Sequence, residues 1–396
     1  MKYKLKVKTL SPIHIGSSFD FEPTNYVINK EQTVRPQAQN DTIECSECHY
    51  KNPIEYVKQR HECGNCEVPL ELPKGFCQIS KDINKYFLYT FNPKQISDAI
   101  NPLALSSLAK RSEDIVELQG FFKSNRTCII PCATKRAIVA TEIAQKYEQE
   151  CGVRQDNDNF GRKRRLNLFQ IERTMSTGLN EVAYIPGSSL KGAFRTAILS
   201  AINVKKRLPY DKTKKGNFYE KMLLNCNDAL SDPLRNLEVA DALPEQPFLT
   251  KILTAKNYKK YQNVGAGQLP IFTEVIPTGT EFFCTLEIQQ EWLSMKMICD
   301  NCNSFYGKLL DEQSRSMRQV SDSFFYSCDS NKENTFVACI GKHCGAEHIT
   351  IENLRNIRIR RGEQSYISDR STTYWAADDG SEILPFGWCI IQWEPF

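Results

Sequence analysis

Residues 3–9 alternate along the chain, with Leu5, Val7 and Thr9 set against Lys4, Lys6 and Lys8. A period of two is that of a strand with one buried face. The run stops at Ser11-Pro12, and residues 14–18 form a small-residue loop before a second strand at 25–28. Between 133 and 150, Ile138, Ile143 and Tyr147 fall at helical spacing, which predicts a helix. Pro186-Gly187 turns the chain, and Ser188 and Ser189 suit the cap of a helix over 193–201. Further on, 237–240 reads as a strand and 263–267 as a glycine loop. Residues 272–276 and 281–288 read as two arms of a hairpin across Pro277-Thr278-Gly279. A long amphipathic helix over 292–320, a buried strand over 334–340 and a last strand over 386–393 complete the pattern.

Strands and helices mixed in both halves predict an α+β chain. Its 396 residues exceed one ordinary core. Two related domains are therefore expected, residues 1–200 and 201–396, with residues 41–70 inserted in the first. The insertion stands out because 44–69 is polar, with little to build a core, yet carries two Cys-x-x-Cys pairs.

Composition narrows the class. A chain 41% hydrophobic and 25% charged is globular rather than disordered. No run of about 18 apolar residues exists to cross a membrane. The charged, alternating N-terminus lacks the apolar block of a signal peptide, so a cytoplasmic protein is expected. In that compartment sixteen cysteines are reduced thiols or metal ligands rather than disulfides.

Cys45-x-x-Cys48 and Cys63-x-x-Cys66 have the spacing of a zinc ribbon. Each knuckle offers two soft thiolates, and two knuckles close a tetrahedral cage with no open position. Zn2+ there would be structural and would fold a module too small to fold alone. The alternative is four unrelated thiols. His49 and His61 flank the cage without being needed as ligands. Cys299-x-x-Cys302 falls inside the helical pattern, where positions three apart share a core face. Cys328, Cys339 and Cys344 are the remaining candidates for a second site.

A net charge of +4 decides little, but basic residues cluster at 162–165, 205–207, 212–215, 256–260 and 358–361. Five clusters point to a polyanionic partner, although each alone also fits a solvated face. The turn at Pro186 adds a helix N-terminus, with Lys191 and Arg195 four residues apart on one face. It lacks the Gly-Lys-Ser/Thr ending of a nucleotide-triphosphate loop. An anion site and a simple capped turn both remain open.

Tyr184-Ile185-Pro186-Gly187-Ser188-Ser189-Leu190-Lys191-Gly192, followed by Arg195-Thr196, closely resembles the signature of the repeat-associated mysterious proteins (RAMPs) of CRISPR systems. Leu10 to Ser17 is similar to the N-terminal motif of that superfamily. Three further stretches resemble one branch, the fifth Csm subunits of type III-A effectors. They are Asp232-Pro233-Leu234-Arg235 with Val239-Ala240-Asp241, Glu274 to Thr280, and Pro385-Phe386-Gly387-Trp388. Two features depart from the family, namely the cysteine ribbon and Lys342-His343-Cys344 where a glycine-tryptophan loop is more usual.

The resemblance implies two ferredoxin-like (RRM-related) RAMP domains with the zinc ribbon inserted. It implies a non-catalytic backbone subunit that binds crRNA towards its 3′ end, aids crRNA maturation and meets target RNA. Its partners would be those RNAs and other type III backbone subunits, with no membrane. Contacts would run to phosphate and sugar, leaving sequence to base pairing. The implied contact residues are His14, Gly16, Ser17, Gly187, Ser188, Ser189, Lys191 and Arg195. Arg162, Lys163, Arg164, Arg165 and Arg173 would reach guide or target from a flanking loop. Two rivals remain: an RNA endonuclease using His14 and Asp20, and a zinc-ribbon RNA adaptor acting alone.

Overall fold

The computed structural model describes residues 1–31, 42–53, 57, 62–70, 85–92, 96, 99–100, 106, 114–153, 169–178, 181–328, 332–362 and 364–396. The chain forms two compact units. One joins Met1–Asn29 to Tyr86–Phe396, and the other is Lys30–Lys85. The fold is α+β. Among the described residues, no helix is long and apolar enough to cross a membrane.

The strand Lys2–Thr9 lies at the centre of a six-stranded sheet. It pairs antiparallel with Glu281–Ile288 on one side and Trp388–Pro395 on the other. Thr335–Cys339 extends the sheet beyond Trp388–Pro395. The alternation in the sequence sorts the faces as expected: Leu5, Val7 and Thr9 are buried, whereas Lys2, Lys4 and Lys8 are exposed. The outward lysines meet glutamates on neighbouring strands, Lys2 with Glu287 at 3.3 Å and Lys6 with Glu281 at 2.9 Å. Exposed pairs of this kind contribute about 1 kcal/mol or less each.

The buried face packs on the helices Gly187–Lys206 and Met295–Ser316. Phe194 of the first meets Phe336 edge-on, and Tyr306 of the second donates its hydroxyl to the Ala193 carbonyl at 3.2 Å. Residue 200 lies inside the first helix, and strands from both sides of it share each sheet.

The second sheet has nine strands and is mixed. Lys251–Lys259 runs antiparallel to Ile271–Val275 and parallel to Lys135–Val139. Ile171–Thr174 joins Ile271–Val275 in parallel and Gly16–Phe21 antiparallel. The helix Thr141–Glu150 covers this sheet through Ile143, Ala144 and Tyr147. A further cluster around Val27, Phe87, Phe91 and Phe122 adds to its packing.

Several sequence expectations need correction. The small-residue stretch 14–18 is not all loop, because the strand Gly16–Phe21 begins inside it. The pattern over 133–150 is not one helix but the strand Lys135–Val139 followed by the helix Thr141–Glu150. Ile138 packs from a strand, where a short apolar run carries no signal to separate the two periods. Ile271–Val275 and Glu281–Ile288 do not form a hairpin, because they belong to different sheets. The turn at Gly279 (φ 85°) carries the chain from one sheet to the other. The long helix is shorter than 292–320, spanning Met295–Ser316 with Ser294 as its cap.

Candidate nucleic-acid interface

The chain passes between the two sheets several times, and two of these crossings, at 10–15 and at 276–280, are bonded together. Ile13 and Ile276 exchange backbone hydrogen bonds at 3.0 and 2.8 Å, and the Thr9 hydroxyl donates to the Pro277 carbonyl at 2.7 Å. His14 lies at this crossing, 1% exposed. Its Nδ1 is 2.7 Å from the Glu274 carbonyl oxygen and its Nε2 is 3.5 Å from Glu172 Oε2. Burial pushes the imidazole below its ordinary pKa, against the Glu274 carbonyl and the Glu172 charge.

The loop after Thr335–Cys339 folds onto the same spot. His343 stacks on His14 with ring centres 5.8 Å apart, and its Nε2 is 3.2 Å from Glu172 Oε2. Lys342 donates its Nζ to Glu172 Oε1 at 2.6 Å and its backbone amide to the His14 carbonyl at 2.8 Å. These neighbours, His343 foremost, hold the Glu172 carboxyl down at about 2 although burial opposes them. Gly341 has φ 89°, and a Cβ there would sit 2.4 Å from the His14 carbonyl oxygen. Gly387 has the same constraint, since its Cβ would fall 2.2 Å from Cys344 Sγ and 2.5 Å from the Ile340 carbonyl. Its amide bonds Pro12, and that of Trp388 bonds the Ser11 hydroxyl. The stretches 10–17, 274–280, 341–345 and 385–388, far apart in sequence, therefore lock one another at the crossing.

Ser17 donates its hydroxyl to the Arg173 carbonyl at 2.9 Å, and Gly16 pairs with Thr174. His14, Gly16, Ser17 and Arg173 are thus brought together. The Arg173 guanidinium is engaged by Glu181 at 3.0 Å and covers the Phe21 ring at 5.0 Å. Asp20 is exposed and sits opposite Glu172 in register. Glu172 escapes sequence reading because a lone acid in a strand carries no local signal.

The turn at Pro186 opens the helix Gly187–Lys206, with Pro186 itself as the cap residue and no capping side chain on the helix. The expectation that Ser188 and Ser189 cap a helix starting near Ala193 is corrected: both lie in the first helical turn. The Gly187 amide is taken by Asp241 Oδ1 at 2.8 Å. That carboxylate answers the positive helix end from within the chain. A Cβ on Gly187 would be 2.0 Å from the Val239 carbonyl oxygen, so only glycine allows this approach.

Arg195 lies between two acids, with Nε and Nη2 each 2.9 Å from Glu220 Oε2 and Nη1 2.7 Å from Asp232 Oδ2. It ties the helix to the helix Gly216–Leu224 and the turn Pro233–Asn236. Lys191 reaches the Arg235 carbonyl at 3.4 Å, and burial lowers its pKa. Ser188 is exposed, and Ser189 and Lys191 are half-buried. The 232–235 and 239–241 motifs are therefore the parts that hold the signature helix.

In the unit Lys30–Lys85, the strands Thr42–Glu44 and Lys51–Pro53 pair beside the cysteines. The four Sγ atoms of Cys45, Cys48, Cys63 and Cys66 lie within 4.8 Å of one another. Cys45 and Cys66 are 3.6 Å apart, and Cys48 and Cys63 3.5 Å. Metal–sulfur bonds of about 2.3 Å would set tetrahedral sulfurs about 3.8 Å apart, so the residues fit a tetrahedral metal. Each knuckle closes identically: His49 N bonds the Cys45 carbonyl, Glu67 N bonds the Cys63 carbonyl, and both residues have φ near 60°. Burial raises the Cys63 thiol, but the Asn65 and Cys66 amides and the Asn52 side chain outweigh it and bring it to about 6. Asn52 also accepts the Gly64 amide at 2.7 Å, fixing the knuckle from behind. His49 is exposed, paired with Glu44 at 3.1 Å, and His61 lies outside the described residues.

Cys299, Cys302, Cys328, Cys339 and Cys344 are buried core thiols. Among the described residues, no other group of three or more His, Cys, Asp or Glu has its ligand atoms this close. Arg162, Lys163, Arg164 and Arg165 lie outside the described residues. In the 256–260 cluster, Lys256 is held by Asp378 at 2.6 Å and Lys260 by Glu347 at 2.8 Å.

The RAMP superfamily profile matches residues 175–341. That span holds the signature turn, its holding motifs and the first residue of the 341–345 loop. No curated protein sequence matches the chain. A chain in a cryo-EM structure of a Csm-crRNA-target RNA ternary complex of a type III-A CRISPR-Cas system is similar in fold, with a TM-score of 0.59 at 15% identity. The match covers 99% of this chain and 100% of that one. The crystal structure of T. onnurineus Csm5 is similar with a TM-score of 0.51 at 15% identity, over 97% of this chain and 99% of the other. The protein is thus a chain with a RAMP superfamily segment at its centre and, from end to end, a Csm5-like fold.

Proposed function

We propose that this chain is a non-catalytic backbone subunit of a type III-A CRISPR-Cas (Csm) effector complex. In this reading it binds crRNA towards its 3′ end, aids crRNA maturation and helps hold target RNA beside other type III backbone subunits. The observation that carries the reading is the end-to-end correspondence with a chain of a Csm-crRNA-target RNA complex. The exposed or half-buried positions Gly16, Ser17, Ser188, Ser189 and Lys191 are the candidate guide contacts on the described surface. His14, Gly187 and Arg195 position them, because each is already committed within the protein.

A binder rather than a nuclease fits the state of His14. It is 1% exposed, with one ring nitrogen on a carbonyl and the other facing Glu172. A general acid or base needs reach to the substrate proton. Zn2+ on Cys45, Cys48, Cys63 and Cys66 would serve to fold the inserted unit, since four protein ligands leave no position for water.

The test is a nuclease footprint of crRNA in complexes reconstituted with and without this chain. The expected result is protection lost at the 3′ end alone when the chain is left out. An unchanged footprint would exclude 3′-end binding.

A further inference from the structure

Three basic clusters remain after those at 162–165 and 256–260 are set aside, and folding places the three side by side. The helix Gly187–Lys206 ends at Arg207, which has the left-handed φ of 51°. Asn203, one turn earlier, organises the segment beyond the helix. Its Oδ1 accepts the Leu208 amide at 3.2 Å, and its Nδ2 donates to the Glu352 carbonyl at 3.0 Å. Glu352 N in turn donates to the Ser200 hydroxyl at 3.2 Å. Asn356 Nδ2 then donates to the Lys212 carbonyl at 3.2 Å, immediately before the two-stranded ribbon Ile357–Arg361 and Gln364–Ser368 begins. The helix end, the 208–215 loop and the base of the ribbon are joined by these bonds.

The cations they bring together are exposed and little used. Among the described residues, no carboxylate lies within 4 Å of Lys205, Arg207, Lys212, Lys215 or Arg360, all exposed. Among the described residues, Arg358 bonds the Ser365 hydroxyl across the ribbon, at 3.1 and 3.2 Å. Lys214 lies over the Phe218 ring at 4.9 Å. The 205–215 stretch holds one acid, Asp211, whose carboxylate accepts from Thr213. Aromatic rings stand beside the loop cations: Tyr210 and Phe218 are 44% and 38% exposed.

We infer that this surface, formed by Lys205, Arg207, Lys212, Lys215, Arg358 and Arg360, is a second docking site for the phosphodiester backbone of single-stranded RNA, separate from the signature turn. It rests on the RNA-binding reading above and adds a place to it. Unpaired cations track phosphates, and exposed rings beside them offer stacking faces to splayed bases. An acidic protein surface would use the charges but not the rings. Arginine on a two-stranded ribbon suits this role, since its planar fork contacts phosphate oxygens in pairs.

The experiment measures binding of the full chain to a fluorescein-labelled single-stranded RNA of mixed sequence across a KCl titration. The variant carries Lys212→Ser, Lys215→Ser, Arg358→Ser and Arg360→Ser, all exposed, with thermal melting checked against the wild type. Each lost single-strand phosphate contact lowers the log–log salt slope by about 0.7. The expected result is a slope flatter by about 2 to 3 and an affinity at least tenfold weaker at low salt. A second variant, Lys205→Glu with Arg207→Glu, should weaken binding in the same direction without touching the ribbon. Wild-type affinity and slope in both variants would overturn the inference while leaving the RNA-binding reading intact. Loss of a protein partner with RNA binding unchanged would likewise overturn it in favour of a protein dock. If the wild type itself binds no RNA, the underlying reading falls with it.

Discussion

Serine in place of Cys45 and Cys63 is expected to take the zinc content of the purified chain from one per chain to none. It is also expected to open the 30–85 segment to protease. The effect should be large because little else supports this unit. Its described core is Val57 and Leu70 around the cysteines themselves. A cluster of that size cannot offset the chain entropy of ordering the segment. A structural four-cysteine zinc site supplies about 10–16 kcal/mol at neutral pH, which is folding free energy for the unit that holds it. Metal analysis and limited proteolysis check the outcome. Cleavage should concentrate in 30–85 and leave the Tyr86–Phe396 region resistant, since that region belongs to the other compact unit. A wild-type protein without zinc, or a variant as resistant as the wild type, would contradict the assignment.

Gly187→Ala is expected to destabilise the main unit by about 3 kcal/mol or more, the upper range for overpacking against rigid groups. The new methyl would sit 2.0 Å from the Val239 carbonyl oxygen and 2.8 Å from that of Ala240, both backbone and unable to turn aside. Relief would require the helix to pull away from Val239, which also loosens the bond from the Gly187 amide to Asp241. At about 1.4 °C per kcal/mol for a unit of this size, the melting temperature should fall by roughly 4 °C or more. Gly192→Ala in the same helix is the control. Nothing lies within 4 Å of its Cβ position, so alanine should be neutral or stabilising by up to about 1 kcal/mol. Thermal melting of the pair decides it. Equal melting temperatures would mean that the turn does not depend on a close approach.

The parts of this chain that can be read in its sequence are those whose cause is local. Lys4, Lys6 and Lys8 alternate with a buried face whatever they pair with, so the first strand is plain. The cysteine cage needs only two knuckles and their spacing, and its sulfurs lie where that spacing puts them. Non-local causes are hidden. Nothing near Lys2–Thr9 says that its neighbours are strands nearly 280 and 390 residues away. Nothing at Pro277 says that the chain changes sheets there instead of turning back.

The site divides along the same line. The glycine at 187 is visible in the sequence, but the Asp241 carboxylate on its amide is not, so an anion site and a simple capped turn cannot be told apart there. Arg195 looks like a phosphate contact until Glu220 and Asp232 are placed on either side of it. The GKHCG run at 341–345 stands out as a departure, yet its purpose depends on Glu172 and His14 from other elements. Basic clusters behave alike. The composition of 205–207, 212–215 and 358–361 is legible, but their adjacency arises from Asn203 and Asn356.

The most direct measurement of the central claim is to purify the chain through a tag from its native host and sequence the RNA that comes with it. The expected result is short RNAs that share one repeat-derived 5′ tag, arriving together with other backbone proteins of a type III complex. A chain that arrives alone with no RNA, or with mixed cellular RNA, would contradict it.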